Sequence, residues 1–114
     1  MTVVTWALQG LLALMFIMAA FGKVIGSKMH IENFNKWGYP QWFRYVTGIV
    51  ELVGAVLLIV GYWNGTAALI GAAIFVAVGI GGVITHIRVK DTMKDTAMIL
   101  ILGILALVLF IILL

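Results

Sequence analysis

Polar positions are scarce along this chain, and they come in bunches. Between the bunches run four apolar stretches at residues 3–22, 46–62, 66–85 and 97–114, of 20, 17, 20 and 18 residues. Each is continuous, without the two-residue alternation of barrel strands. At the rise of a helix, ~20 apolar residues cross a hydrocarbon core. The pattern predicts four membrane-spanning helices. The first stretch has no basic leader and no small-x-small cleavage site with a polar sequel, so it reads as a retained helix and not a removed signal.

The connections carry their own patterns. In "HIENFNKWGYP", Ile31, Phe34 and Trp37 recur every three residues, with Glu32, Asn33, Asn35 and Lys36 between them. This spacing predicts a short helix in the headgroup plane. Gly38 is placed to end it, and Pro40 drives Tyr39 towards an extended conformation. "NGT" at 64–66 predicts a tight turn, with Thr66 the expected N-cap of the third span; its match to a glycosylation acceptor is read as a turn so close to the membrane. Asp95 or Thr96 is the expected cap of the fourth. The fold class is therefore all-α: one membrane-embedded four-helix bundle over residues 1–114, with an interfacial helix between its first two spans.

Composition agrees. Of 114 residues, 65% are hydrophobic and 10% charged, too few to build the polar shell of a water-soluble domain. All seven basic side chains fall in or beside the first and third connections. The positive-inside rule makes those connections cytoplasmic and puts both termini outside, as in a bacterial cytoplasmic membrane. Trp6, Tyr62 and Trp63 mark one interface; Trp37, Tyr39, Trp42 and Tyr45 mark the other. The net charge of +3 thus reports orientation and contact with the lipid bilayer, not nucleic-acid binding. With no cysteine, the chain holds no disulfide relay or thiolate metal site.

Small residues suggest how the helices pack. Ala73, Ala77, Gly81 and Thr85 recur every four residues, with a second row of Ala68, Gly71, Ala72, Gly79 and Gly82 nearby. Gly48, Gly54 and Ala55 surround Glu51 on the second span. Small side chains let backbones approach in lipid, so spans two and three are expected to pack closely. The Ala73–Ala77–Gly81 row equally suits a homo-oligomer face. The fourth span, Leu/Ile/Val on nearly every face, is expected to be the most lipid-exposed.

Glu51 is the most informative residue. No other acidic side chain lies within eighteen positions of it. It sits about 9 Å beyond Tyr45 by helical rise, where a charge costs a few kcal/mol unless neutralised or paired. Lys23 ends the first span on the same side, Arg44 lies two turns earlier on the same helix face, and His86 ends the third span. Lys23, Glu51 and His86 thus converge from three helices at one membrane level. They form either a polar pocket with apolar walls, with Arg44, Tyr39 and Trp42 at its interfacial rim, or a staple that fixes helix register. His30 reads as a surface residue. Lys90, Asp91, Lys94 and Asp95 read as a solvated, salt-bridged connection, and Met15 and Met18 as packing residues. No metal-ligand spacing, phosphate loop or nucleophile constellation is visible, so no metal is expected and catalysis would depend on a partner.

Several of these segments resemble the DoxX-like membrane proteins: "FGKVIG", "NFNKWGYPQWF", "GIVELVGAVLLIVG" and the closing "THI" of a small-residue helix. The matching motif positions are Gly22, Lys23, Gly38, Tyr39, Pro40, Gly48, Glu51, Gly54 and His86. The resemblance implies a compact four-helix bundle. It also implies a link to quinone-dependent thiosulfate oxidation, to membrane redox complexes, to thiol redox partners or, in eukaryotic relatives, to receptor assembly. The expected function is a redox- or respiration-associated accessory subunit with a pocket for a quinone or other lipid-soluble molecule, working beside a membrane redox partner. The alternatives are a non-enzymatic assembly partner and a small oligomeric transporter.

Overall fold

The computed structural model describes residues 2–90 and 93–114, with side chains from 3–90 and 96–114. It contains α1 (Thr2–Ile25), α2 (Lys28–Trp37), α3 (Gln41–Val60), α4 (Gly65–Arg88) and α5 (Met93–Leu113). The four long helices are long and apolar enough to cross a membrane. Among the described residues there is no strand. The expected ion pairs of Lys90, Asp91, Lys94 and Asp95 lie outside the described side chains.

The chain turns where backbone chemistry demands it. Gly26 (φ 75°) closes α1, and Ser27 N–H donates to Gly22 O at 2.9 Å. Gly38 (φ 80°) closes α2, with its N–H on Asn35 O at 3.1 Å and Tyr39 N–H on Phe34 O at 3.0 Å. Both ends follow the left-handed pattern in which glycine avoids a Cβ clash and stray carbonyls are satisfied. Pro40 is the extended residue before α3, which begins at Gln41, earlier than its apolar stretch, because Gln41 and Arg44 are good helix residues that hydropathy alone excludes.

Two cap assignments are corrected. Asn64, not Thr66, caps α4: its Oδ1 accepts from Thr66 N–H at 3.0 Å and Ala67 N–H at 3.2 Å. Thr66 is already helical, so its hydroxyl no longer faces the free N–H groups. Asp95 and Thr96 likewise fall inside the first turn of α5, not before it.

α1 lies along α3, α4 lies along α5, and α3–α4 contacts join the two pairs. A Cβ on Gly48 would meet Val24 Cγ2 at 2.9 Å and Ala20 O at 3.1 Å, so only glycine allows that approach of α1 to α3. Gly79 and Gly103 play the same part between α4 and α5. α3 meets α4 through Gly54 and Gly71, with Phe75 seated against Gly54 and Ala68 against Gly61. The close α3–α4 contact thus uses the second small-residue row. Ala73, Ala77 and Gly81 are exposed instead, one helical face away. Phe16 and Phe75 stack at 3.8 Å across the centre, amid Leu12, Leu58, Ala106 and Leu109. α5 is the least buried span, at 22% against 28% or more for the others.

Buried polar groups also tie helices together. Ser27 N–H bonds Gly22 O, which leaves Lys23 O without a backbone donor. Arg44 Nη1 from α3 donates to it. At the other end, Tyr62 N–H bonds Ile59 O and leaves Leu58 O open, and Gln9 Nε2 from α1 donates to it at 2.6 Å. Each side chain completes the frayed carbonyl end of a neighbouring helix, where an unpaired group in lipid costs several kcal/mol.

Candidate functional site at the α2 end

The two helix pairs close tightly at the end remote from α2 and splay apart towards it. Between the splayed ends lies a cavity of about 880 Å³, walled by all five helices. Phe16 forms part of its floor, Val46, Val50, Ile74 and Leu102 line its sides, and α2 with Tyr39 roofs it.

Lys23, in the last turn of α1, and Glu51, in the middle of α3, both face this space. Lys23 Nζ lies 2.8 Å from Glu51 Oε1, with side-chain exposures of 12% and 3%. Oε1 has no hydrogen-bond partner among the described residues, so the contact is an ion pair without an aligned hydrogen bond. The lysine stem runs along apolar surface and delivers its charge to the carboxylate, which lowers the cost of burying both.

His86 lines the same cavity, its ring 5.3 Å from that of Trp37. Tyr39 and Thr85 hydroxyls are 2.8 Å apart, and Thr85 donates its own proton to Gly81 O, so Tyr39 is the donor of the pair. Arg88 sits over the Tyr39 ring at 4.7 Å and donates to Trp37 O at 2.8 Å. These contacts fasten the end of α2 to α4.

Two sequence-predicted site residues lie elsewhere. Arg44 is buried but turned away from Glu51. Besides Lys23 O it holds Gln41 Oε1 through Nε at 2.8 Å, and it covers the Tyr45 ring at 4.3 Å. A guanidinium at the carbonyl end of α1 also complements the helix dipole. Trp42 is 65% exposed and outside the cavity wall. It is nine positions from Glu51, half a turn out of phase, so it faces away from the bundle.

The structure adds two groups to the site: His30, which the sequence places at the surface, and Trp37, which it places at the membrane interface. His30 is half-buried and lines the cavity, and it fits because Gly22 has no side chain: a Cβ there would lie 2.8 Å from the imidazole. Burial, and then the charges of Lys23 and Arg44, lower the pKa of His30 below its usual value. Trp37 also lines the cavity, and its Nε1 is buried with no hydrogen-bond partner among the described residues. The signal was present in the α2 sequence, where His30, Asn33, Phe34 and Trp37 follow the i, i+3, i+4, i+7 pattern of one helix face.

Fold and site together define a four-pass integral membrane protein whose bundle opens, at one end, into an apolar cavity with a charged head. The family described as the DoxX-like family matches residues 7–110, and the chain belongs to it. A curated relative, the uncharacterized protein YdgD of Bacillus subtilis (strain 168), is 33% identical over 75 residues, covering 66% of each chain and so just under two thirds of that relative. No solved structure matches the chain.

Proposed function

We propose that this protein is a redox- or respiration-associated accessory subunit of a bacterial cytoplasmic membrane, and that its cavity holds the head of a quinone or similar lipid-soluble carbonyl compound. The observation that carries this reading is the Lys23–Glu51 pair set into the wall of an 880 Å³ apolar cavity. A register staple needs the pair but not the space. The Lys23 ammonium and the Trp37 Nε1–H, which has no partner among the described residues, supply donors for a ring oxygen. Glu51 can take up or release a proton beside it, with His30 and His86 on the same wall. The basic side chains cluster at the α2 end, which by the positive-inside rule faces the cytoplasm.

Gentle purification followed by extraction and chromatography of bound lipids tests this. Quinone should accompany the wild-type protein and be lost from Glu51→Gln, Lys23→Met and His86→Ala variants that remain folded. Equal quinone content in all four proteins would sink the reading.

A further inference from the structure

We infer that the cavity opens sideways into the bilayer between α3 and α4, and that its ligand is a tailed amphiphile. The head reaches the Lys23–Glu51 pair while the apolar tail stays in the α3–α4 gap.

The gap is visible in how the contact between α3 and α4 changes along their length. Towards the end remote from α2, α3 and α4 are in contact: a Cβ on Gly71 would lie 2.9 Å from Gly54 O, and one on Gly54 would lie 2.6 Å from the Phe75 ring. Towards α2 the adjacent face of α4, the one that carries Ala77 and Gly81, stands open beside α3. A Cβ on Gly81 would meet nothing within 4 Å. Val46 and Val50 on α3 and Ala77 and Gly81 on α4 line the cavity and are exposed. Met29 and Lys36 on α2 and Met98 on α5 are also lining and exposed; exposed lining residues on both α3 and α4 fit an opening between these two helices. The surface there belongs to the middle and α2-side parts of two spanning helices, so it faces acyl chains and not water.

Ala77 and Gly81 therefore acquire a role that close packing does not give them. Leucine at these positions, as on most of α5, would fill the gap. A second, independent feature marks the inner end: the Glu51 side chain is 3% exposed and faces the cavity, and the buried Trp37 Nε1 has no hydrogen-bond partner among the described residues. A largely apolar opening that ends on a charged pair suits a polar head on a long hydrocarbon chain.

This inference rests on the cavity's binding a lipid-soluble carbonyl compound, and the test separates the two. Wild-type protein in phosphatidylcholine nanodiscs is titrated with two benzoquinones of identical ring substitution, one bearing a decyl tail and one a methyl group. Quenching of tryptophan fluorescence gives the affinity. Gly81→Leu and Ala77→Leu should each weaken the decyl quinone at least tenfold and change the methyl quinone less than twofold, with unfolding midpoints near wild type. Glu51→Gln should weaken both. Equal effects of Gly81→Leu and Ala77→Leu on both probes, or no effect on either, overturn the sideways opening while leaving the cavity as a site. A selective loss seen instead for Ala19→Leu, on the α1 wall, also overturns it. Failure of the wild type to bind either quinone removes the ligand reading, and this inference with it.

Discussion

Lys23 Nζ stands 2.8 Å from Glu51 Oε1, and the two residues meet beside the close approach of α1 to α3 at Gly48. The glycine and the ion pair are one device. Gly48 lets the helices approach, and the approach brings the ammonium at the end of α1 to a carboxylate three residues further along α3.

Removing one partner of this pair should therefore cost more than removing both. Lys23→Met leaves Glu51 with no neighbouring cation, and loss of one partner of a buried pair costs about 3 kcal/mol. The double variant Lys23→Met/Glu51→Gln should recover most of that loss. Reversible unfolding in mixed micelles, read as a double-mutant cycle, measures the coupling. Additive losses would mean that the two side chains do not interact.

Glycine substitutions should divide by position. Gly71→Ala places a methyl 2.9 Å from the Gly54 carbonyl, a backbone atom that cannot yield, so α3 and α4 must separate. A loss of about 2 kcal/mol is expected, in the range of overpacking. Gly81→Ala meets nothing within 4 Å and should gain up to about 1 kcal/mol from helix propensity. Unfolding midpoints of the two variants should move in opposite directions.

The contrast between Gly71 and Gly81 also shows what was legible in the sequence. Four spans, the interfacial helix and its Gly38 stop follow from hydropathy and turn chemistry, because lipid leaves the backbone few alternatives. The two small-residue rows of α4 were both visible, but spacing alone does not say which one a neighbouring helix covers. That depends on the splay of the helix pairs, a property of the whole bundle. Lys23, Glu51 and His86 were readable as one membrane level, since each ends or interrupts an apolar run. Arg44 was misplaced because the reading counted charges near Glu51 and not the unpaired carbonyls near Arg44. The free Lys23 carbonyl that holds Arg44 exists only once Gly26 has set the end of α1.

Gln9 stands among apolar neighbours, yet it is buried and holds Leu58 O at 2.6 Å. Gln9→Leu keeps the volume and leaves that carbonyl without a donor. The expected loss is about 1 kcal/mol, the scale of inter-helical hydrogen bonds in lipid. Faster amide exchange at Tyr62 and Trp63, with no change at Ile31 or Phe34, would place the effect at the end of α3. Uniform acceleration would point to global destabilisation instead.

The roof of the cavity should respond to acid through His30. Burial first, and then the positive charges of Lys23 on α1 and Arg44 on α3, hold its pKa below the usual 6.5. The folded protein thus prefers the neutral imidazole. As pH falls through about 6.5, the unfolded chain takes up a proton before the folded one does, so stability declines. The decline stops once pH has passed the lowered folded value, below which both states are protonated. Above 6.5 both are neutral, and His30 contributes no slope. Replacing His30 by Gln, which keeps a polar planar group against Gly22 but does not titrate, should flatten this part of the profile. The unfolding midpoint of wild type minus that of His30→Gln, measured from pH 8 to pH 4, should fall on acidification and then level off. A difference that rises towards acid would reverse the sign and show that the folded state stabilises the imidazolium, which the nearby lysine and arginine oppose.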